Sequence, residues 1–238
     1  MIDRSRAPDL RAFERIVFFT GAGVSRESGI PTYRGKGGIW ERFDYREVAC
    51  QRAFDRDPEG VWDWHDERRA EALACEPNLA HRLIGEIQRE KPATEVVTQN
   101  IDGLHQRGGA GRVIELHGSL WRVRCDREGI VREDFTHPFA ERRCPCGDWW
   151  RPDIVWFEDP LDQETIRRAW TAIEGCDCLV SVGTSANVYP AAELPMVAMR
   201  AGAVTIEVNP EDTPLSGLYT HRLRGAATEM MRRLWPGA

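Results

Sequence analysis

No apolar run in the chain approaches the roughly 20 residues that cross a bilayer, and the opening residues 1–6 are charged, so neither a membrane span nor a secretion leader is expected. Charge of one sign is also missing. The 32 Lys and Arg are interleaved with 38 Asp and Glu for a net charge of −6, with no basic stripe of the kind that tracks phosphates. A direct nucleic-acid ligand is not expected on that ground. The seven cysteines are an odd set without the spacing of a disulfide framework, so free thiols in a reducing, cytoplasmic setting are expected. Internal repeats and low-complexity linkers are absent too, which excludes a solenoid and a disordered tether.

What remains is a chain of 238 residues, 42% of them hydrophobic, long enough to bury one full core with a small inserted lobe. Short β-branched or aromatic runs occur at Arg15–Thr20, Thr94–Thr98, Val113–Leu116, Cys178–Val182 and Ala203–Val208, several closed by glycine or a polar turn. Such runs fit strands buried on both faces of a parallel sheet. Between them, Asn78–Arg89 carries Leu79, Leu83, Ile84 and Ile87 on one helical face, and Gln163–Ile173 has a similar pattern. The alternation predicts an α/β, doubly wound Rossmann-like parallel sheet whose ligands bind at the carboxyl ends of the strands. Gly35–Cys75, helical from about Pro58, and Arg122–Asp153, with its cysteines, interrupt it. The expected division is a large lobe of about residues 1–34, 76–121 and 154–238 and a small lobe of about 35–75 and 122–153, within a single domain of 1–238.

The motifs cluster behind those strands. Gly21-Ala22-Gly23 follows the first and lets the backbone approach a pyrophosphate. The third glycine of the dinucleotide fingerprint is absent, its place taken by Arg26, which disfavours a hydride-transfer dehydrogenase. Gln99-Asn100-Ile101-Asp102 emerges after the second strand, where Asp102 and the Ile101 N–H match the donor and acceptor of a primary carboxamide. His117, of six histidines, closes the third strand before the small Gly118 and suits a general base.

Read together, Gly21 through Gly35, Gln99-Asn100-Ile101-Asp102, Glu115-Leu116-His117-Gly118-Ser119, Gly183-Thr184-Ser185 and Val208-Asn209-Pro210-Glu211 resemble the sirtuins, NAD-dependent protein deacylases, over nearly the whole chain. The resemblance implies NAD as cofactor and His117, Asn100 and Asp102 as catalytic residues. It places Gly21, Ala22, Gly23, Glu27, Thr32, Tyr33, Arg34 and Trp40 around the diphosphate and reactive ribose. Tyr33 stands where the family usually has Phe. Gln99, Asn100, Ile101 and Asp102 would serve the nicotinamide and its ribose, and Gly183, Thr184, Ser185, Asn209, Pro210, Glu211 and Ala227 the adenosine end. In the implied reaction the acyl oxygen of an acylated lysine attacks the ribose carbon, nicotinamide leaves, His117 activates the ribose hydroxyl that attacks the resulting alkylimidate, and water completes the reaction. The products are free lysine, nicotinamide and O-acyl-ADP-ribose.

Val155, Trp156 and Phe157 resemble the family's edge segment for β-augmentation by a substrate peptide. Members that favour malonyl, succinyl or glutaryl lysine carry Tyr-x-x-Arg, and this chain offers His65 and Arg68 in its place, with Tyr45 at an often smaller position. The structural zinc of the family needs four ligands, whereas Cys125, Cys144 and Cys146 form an incomplete set. Zinc stays open here, and the lobe is expected to stand without metal, supported by Trp149 and Trp150. Other readings of the same pocket are an NAD-dependent ADP-ribosyltransferase, an NAD glycohydrolase, or a non-enzymatic NAD or ADP-ribose sensor. The partners expected are acylated lysines of proteins or peptides, with neither nucleic acid nor membrane, and the chain is expected to be a monomer.

Overall fold

The computed structural model describes residues 7–35 and 37–237. The charged opening, Lys36 and Ala238 lie outside them. Six strands form one parallel sheet: β1 (Ile16–Thr20), β2 (Glu95–Thr98), β3 (Val113–Glu115), β7 (Cys178–Val182), β8 (Val204–Val208) and β9 (His221–Leu223), in the order β3-β2-β1-β7-β8-β9. The chain order reverses between β1 and β7, which pair from Ile16–Cys178 to Thr20–Val182. At such a reversal the turns after two neighbouring strands diverge to opposite sides and leave a crevice at the carboxyl edge.

Alternation along β1 divides the core. Ile16 and Phe18 point to one face, where they meet Leu83, Ile84 and Ile87 of a crossover helix and Met230, Met231 and Leu234 near the chain end. Val17 and Phe19 point to the other, against Ala169, Ile173, Leu194 and Val197. Every residue of β1 and of β7 is buried, as strands covered on both faces must be.

The helices follow the chain as α1 (Ile39–Arg42), α2 (Tyr45–Val48), α3 (Gln51–Arg56), α4 (Pro58–Ala74), α5 (Leu79–Glu90), α6 (Leu104–Arg107), α7 (Gln163–Glu174), α8 (Leu194–Arg200) and α9 (Ala227–Leu234). Asp57 caps α4 by accepting from the Gly60 N–H at 3.0 Å, and Pro58 sits in the first turn where its missing N–H costs nothing. Asn78 caps α5 through Ala80 N–H at 2.9 Å, while the His81 ring returns the bond to Asn78 N–H at 3.3 Å, a capping box.

The small lobe has more sheet than its weak strand signals predict. Strands β4 (Gly118–Cys125), β5 (Ile130–Glu133) and β6 (Arg151–Ile154) pair antiparallel in the order β5-β4-β6, and β4 begins at Gly118, ahead of residue 122. Its own core contains Trp62, Trp121, Val123, Phe139, Trp150 and Trp156. Trp62 packs against Phe139 with ring centroids 4.5 Å apart and donates its indole N–H to the Trp150 carbonyl at 2.6 Å. The guanidinium of Arg69, 1% exposed, is shared among the Leu120, Asp134 and Thr136 carbonyls and the Asp134 carboxylate. Three other differences are small. The strand at Val113 stops one residue early, the glycine turn opens into a 3₁₀ helix over Ala22–Ser28, and a further edge strand, β9, follows β8.

Burial pulls the pKa of His65 and of His81 down to about 4, so both fold as neutral rings. In the unfolded chain each takes up a proton near 6.5, so their contribution to stability is present above that pH and is lost as pH falls towards 4. The expected outcome is a loss of up to about 3 kcal/mol per histidine across that window, read by urea unfolding at a series of pH values; a flat profile would contradict it.

Candidate functional site

The crevice at the β1/β7 reversal is a cleft of about 1220 Å³. Its floor is the mutual approach of two glycine turns. Gly23 N–H donates to the Gly183 carbonyl at 2.9 Å. A Cβ on Gly23 would stand 2.6 Å from Gly183 Cα, and one on Gly183, whose φ is +62°, 2.4 Å from Val24 N. Only glycine permits that contact, and it leaves a bare backbone cradle of the kind a pyrophosphate fills.

The predicted cofactor residues converge there. Gly21, Ala22, Gly23, Glu27, Thr32, Tyr33, Arg34 and Trp40 line the cleft together with Gln99, Asn100 and Ile101. Gly183, Thr184, Ser185, Asn209, Pro210, Glu211 and Ala227 line its other end. Gln99 donates to the Thr184 hydroxyl at 3.2 Å and Asn209 to the Thr184 carbonyl at 2.8 Å, which ties the turns after β2, β7 and β8 into one wall. Glu27 accepts from the N–H and hydroxyl of Thr228 in the first turn of α9, at 2.9 and 2.7 Å.

His117 faces the same cleft, between β3 and β4. Its Nδ1 lies 3.0 Å from the Gln99 carbonyl, which can only accept, so the proton resides on Nδ1 and the neutral ring keeps Nε2 as a base. Burial lowers the pKa of His117, partly offset by that carbonyl.

Asp102 lies off the main cleft in a smaller pocket that it shares with Ala22, Ile30, Tyr33, Asn100 and Ile101. The pocket measures about 20 Å³, room for a water-sized group. Asp102 accepts from the Leu104 N–H at 2.9 Å and from the Ser25 hydroxyl at 2.7 Å. Behind Ser25 stands His81. Its Nδ1 accepts from Asn78 N–H, so Nε2 carries the proton and donates to Ser25 Oγ at 3.3 Å. Asn100 donates to both the Gly21 carbonyl and Ser25 Oγ, at 3.2 and 3.3 Å. Burial raises the pKa of Asp102, opposed by its two donors. Burial, with Asp102 beside it, likewise raises the pKa of Tyr33 and keeps its hydroxyl protonated.

Ser25 and His81 are the members of this network to which sequence reasoning gave no role. Asn78 and His81 at the spacing of a helix cap were the available signal, and the apolar face of the same helix obscured it.

The substrate-side residues are placed more unevenly. His65, Val155, Trp156 and Phe157 line the cleft, whereas Arg68 lines the small pocket. His65 has no ring nitrogen to spare: Nδ1–H donates to the Val61 carbonyl at 2.8 Å, and Nε2 accepts from the Trp156 indole at 3.1 Å. It steadies Trp156. The N–H groups of Val155, Trp156 and Phe157 are held by the His117 carbonyl, Asp159 and the Ala49 carbonyl. Arg68, 8% exposed, pairs with Glu71 at 2.8 Å. Tyr45 packs on Phe157 at 4.2 Å.

Cys125, Cys144 and Cys146 bring their sulfurs within 4.8 Å of one another. Burial works against a thiolate at Cys125, but the Glu128 N–H and the two neighbouring thiols outweigh it and lower the pKa. These are three of the four ligands of a closed zinc site, and among the described residues no further Cys, His, Asp or Glu joins the cluster. Because the lobe has its own aromatic core, a strong chelator is expected to move the melting temperature by less than about 2–4 °C, the equivalent of 1 kcal/mol. Calorimetry with and without chelator checks this, and unfolding on metal removal would overturn it.

Comparison with known proteins agrees with this geometry. The model of the Sir2 family matches residues 21–190. The NAD-dependent protein deacylase of Aeropyrum pernix is 46% identical over 220 residues, covering 92% of this chain and 90% of its own. That of Aquifex aeolicus is 43% identical over 223 residues, with 92% and 93% covered. Among solved structures, a Sir2 homologue in complex with NAD superposes with a TM-score of 0.87 at 42% identity, covering 93% of this chain and 88% of its own. A Sir2 complex with a p53 peptide and NAD gives 0.80 at 32% identity, covering 94% and 93%. With the family model matching residues 21–190 and relatives 43–46% identical over most of the chain, the chain belongs to the Sir2 family.

Proposed function

We infer that the protein is an NAD-dependent protein-lysine deacylase, releasing nicotinamide and O-acyl-ADP-ribose and freeing the lysine. The observation that carries this reading is the pairing of two polar centres on opposite sides of the Asn100–Ile101 turn. On one side the buried Asp102, accepting from Ser25 and the Leu104 N–H, stands in a small pocket beside the cleft. On the other, His117 presents a neutral Nε2 to the open cleft. A sensor has no use for the second centre.

NAD supplies the electrophilic ribose carbon and the nicotinamide leaving group. The chain's own residues bind, orient and move protons. The glycine cradle would hold the diphosphate against backbone N–H groups, with Arg34 at the cleft wall. Asn100, fixed by Gly21 and Ser25, would offer its amide oxygen to the ribose. Asp102, kept in orientation by Leu104 N–H and Ser25, would accept from the carboxamide NH2, and Ile101 N–H would donate to its carbonyl. His117 Nε2 would take a ribose hydroxyl proton, with the Gln99 carbonyl stabilising the imidazolium through Nδ1–H. Positioning and fixed dipoles, with no nucleophilic side chain, supply the acceleration. The aromatic walls Trp40, Trp64, Trp156 and Phe157 exclude water from the acyl group.

His117→Ala is expected to keep NAD binding and lose deacylation by at least about 100-fold, the lower end of general-base effects. Mass spectrometry of acyl-lysine peptides with and without NAD, beside calorimetric NAD titration, checks both halves. Unimpaired turnover would remove His117 from its role, while NAD loss without lysine deacylation would favour glycohydrolysis or ADP-ribosyl transfer. Because the pKa of His117 is lowered, the acid limb of kcat/KM should have its midpoint below 6.5, as protonation destroys the base. A pH–rate profile with that midpoint above 7 would contradict the assignment.

Asp102→Asn replaces an acceptor-only group with one that also donates, against a carboxamide NH2 that can only donate. Nicotinamide exchange is expected to fall by about tenfold or more, measured by incorporation of labelled nicotinamide into NAD. Unchanged exchange would place the carboxamide elsewhere.

A further inference from the structure

His105 stands in α6, 1% exposed, and lines neither the cleft nor the small pocket. Its Nε2 lies 2.9 Å from the Thr20 hydroxyl, and its Nδ1 is buried without a partner. Burial, with His81 beside it, holds its pKa well below 6.5, so the ring is neutral. A buried ring with one idle nitrogen costs stability that an apolar side chain would not. What the other nitrogen holds accounts for that cost.

Thr20 and Thr98 end β1 and β2 and are register partners, so their side chains share one face of the sheet. The Thr20 hydroxyl donates to Thr98 Oγ1 at 2.8 Å. Having given its single proton there, it can only accept from the ring, which puts the His105 proton on Nε2 and leaves Nδ1 bare. Thr98 Oγ1 also accepts the Asn100 N–H at 3.0 Å. The bonded series from His105 through Thr20 and Thr98 therefore ends on the peptide that joins Gln99 to Asn100. That peptide is planar, with its N–H and C=O opposed, so a clamp on one end aims the other. Its carbonyl is the one 3.0 Å from His117 Nδ1.

We propose that His105 is a positioning residue for His117: through Thr20 and Thr98 it locks the Gln99–Asn100 peptide plane, whose carbonyl fixes the tautomer and direction of the base. The other groups of this turn have separate anchors. The Asn100 side chain is held by Gly21 and Ser25, and Asp102 by Ser25 and the Leu104 N–H. Loss of His105 thus reaches the base more than it reaches the nicotinamide side. The inference rests on the deacylase reading for the task His117 performs.

The test uses the whole chain as wild type, His105→Phe, Thr20→Val and their double variant, with His105→Gln as the conservative change, since a Gln amide nitrogen can donate as Nε2 does. With an acetyl-lysine peptide and NAD, kcat is expected to fall about tenfold in each single variant, the effect of one lost buried bond. It should fall no further in the double variant, because both changes cut the same series. His105→Gln should recover most of the loss. Calorimetric NAD affinity and nicotinamide exchange, both preceding the base's step, should move by less than about threefold. Thr20→Val is isosteric and carries the same expectation if His105→Phe does not fold. Nitrogen NMR of the His117 ring reads the tautomer without turnover: Nδ1 protonated in the wild type, a mixture in His105→Phe and Thr20→Val. Additive losses, no recovery with Gln, or an exchange loss equal to the loss in kcat would make His105 a residue that only packs on His81, whose ring it meets at 5.0 Å, and overturn the proposal. Unchanged kcat does the same. Failure of the deacylase reading looks different: no variant, nor the wild type, turns over the peptide, and the His117 tautomer then decides, a mixture in the variants supporting the proposal and an unchanged ring sinking it.

Discussion

Everything at the site depends on the close contact between Gly23 and Gly183. Parallel strands place their carboxyl ends side by side, but an ordinary side chain at either position would push the two turns apart and fill the crevice. With Cβ positions at 2.4–2.6 Å from opposing backbone atoms, the contact tolerates no substituent. The bare peptide surface that results is the floor of the cleft, and Gln99 and Asn209 reach Thr184 only because the turns are drawn together.

From that floor the chemistry is assembled by buried hydrogen bonds, not by charge pairs. Asp102 is held by a hydroxyl and an amide N–H, Ser25 by an imidazole, and that imidazole by the cap of α5. Such a chain has a single satisfied arrangement, since each hydroxyl and ring has its donor and acceptor roles fixed by a carbonyl, carboxylate or amide at the ends. A network closed in this way holds the Asp102 carboxylate and the Asn100 amide in one orientation each. His117 follows the same rule on the other side, with the Gln99 carbonyl choosing its tautomer.

The legible parts of the sequence were those where a local pattern has one structural outcome. Five buried runs ending in glycine or polar turns gave the sheet, and the family resemblance named the residues that line its crevice. The last strand, β9, was hidden because His221-Arg222-Leu223 is too short for periodicity to register. The small-lobe sheet was equally obscure: β5 reads Ile130-Val131-Arg132-Glu133, and its pairing to β4 depends on a partner already folded. Side-chain partnerships across the fold were out of reach altogether. Nothing in His65-x-x-Arg68 says that the histidine holds Trp156 or that Glu71 occupies the arginine, since both depend on which way α4 faces.

Asn78 has one more consequence. Its side-chain oxygen caps α5, and its amide nitrogen donates to the Val24 carbonyl at 2.8 Å, in the turn that carries the glycine cradle. The first turn of α5 cannot fray without releasing the end of that cradle. Helix opening and loss of the cradle are therefore one cooperative unit, and a ligand that rests on the cradle slows amide hydrogen exchange in a helix it never touches.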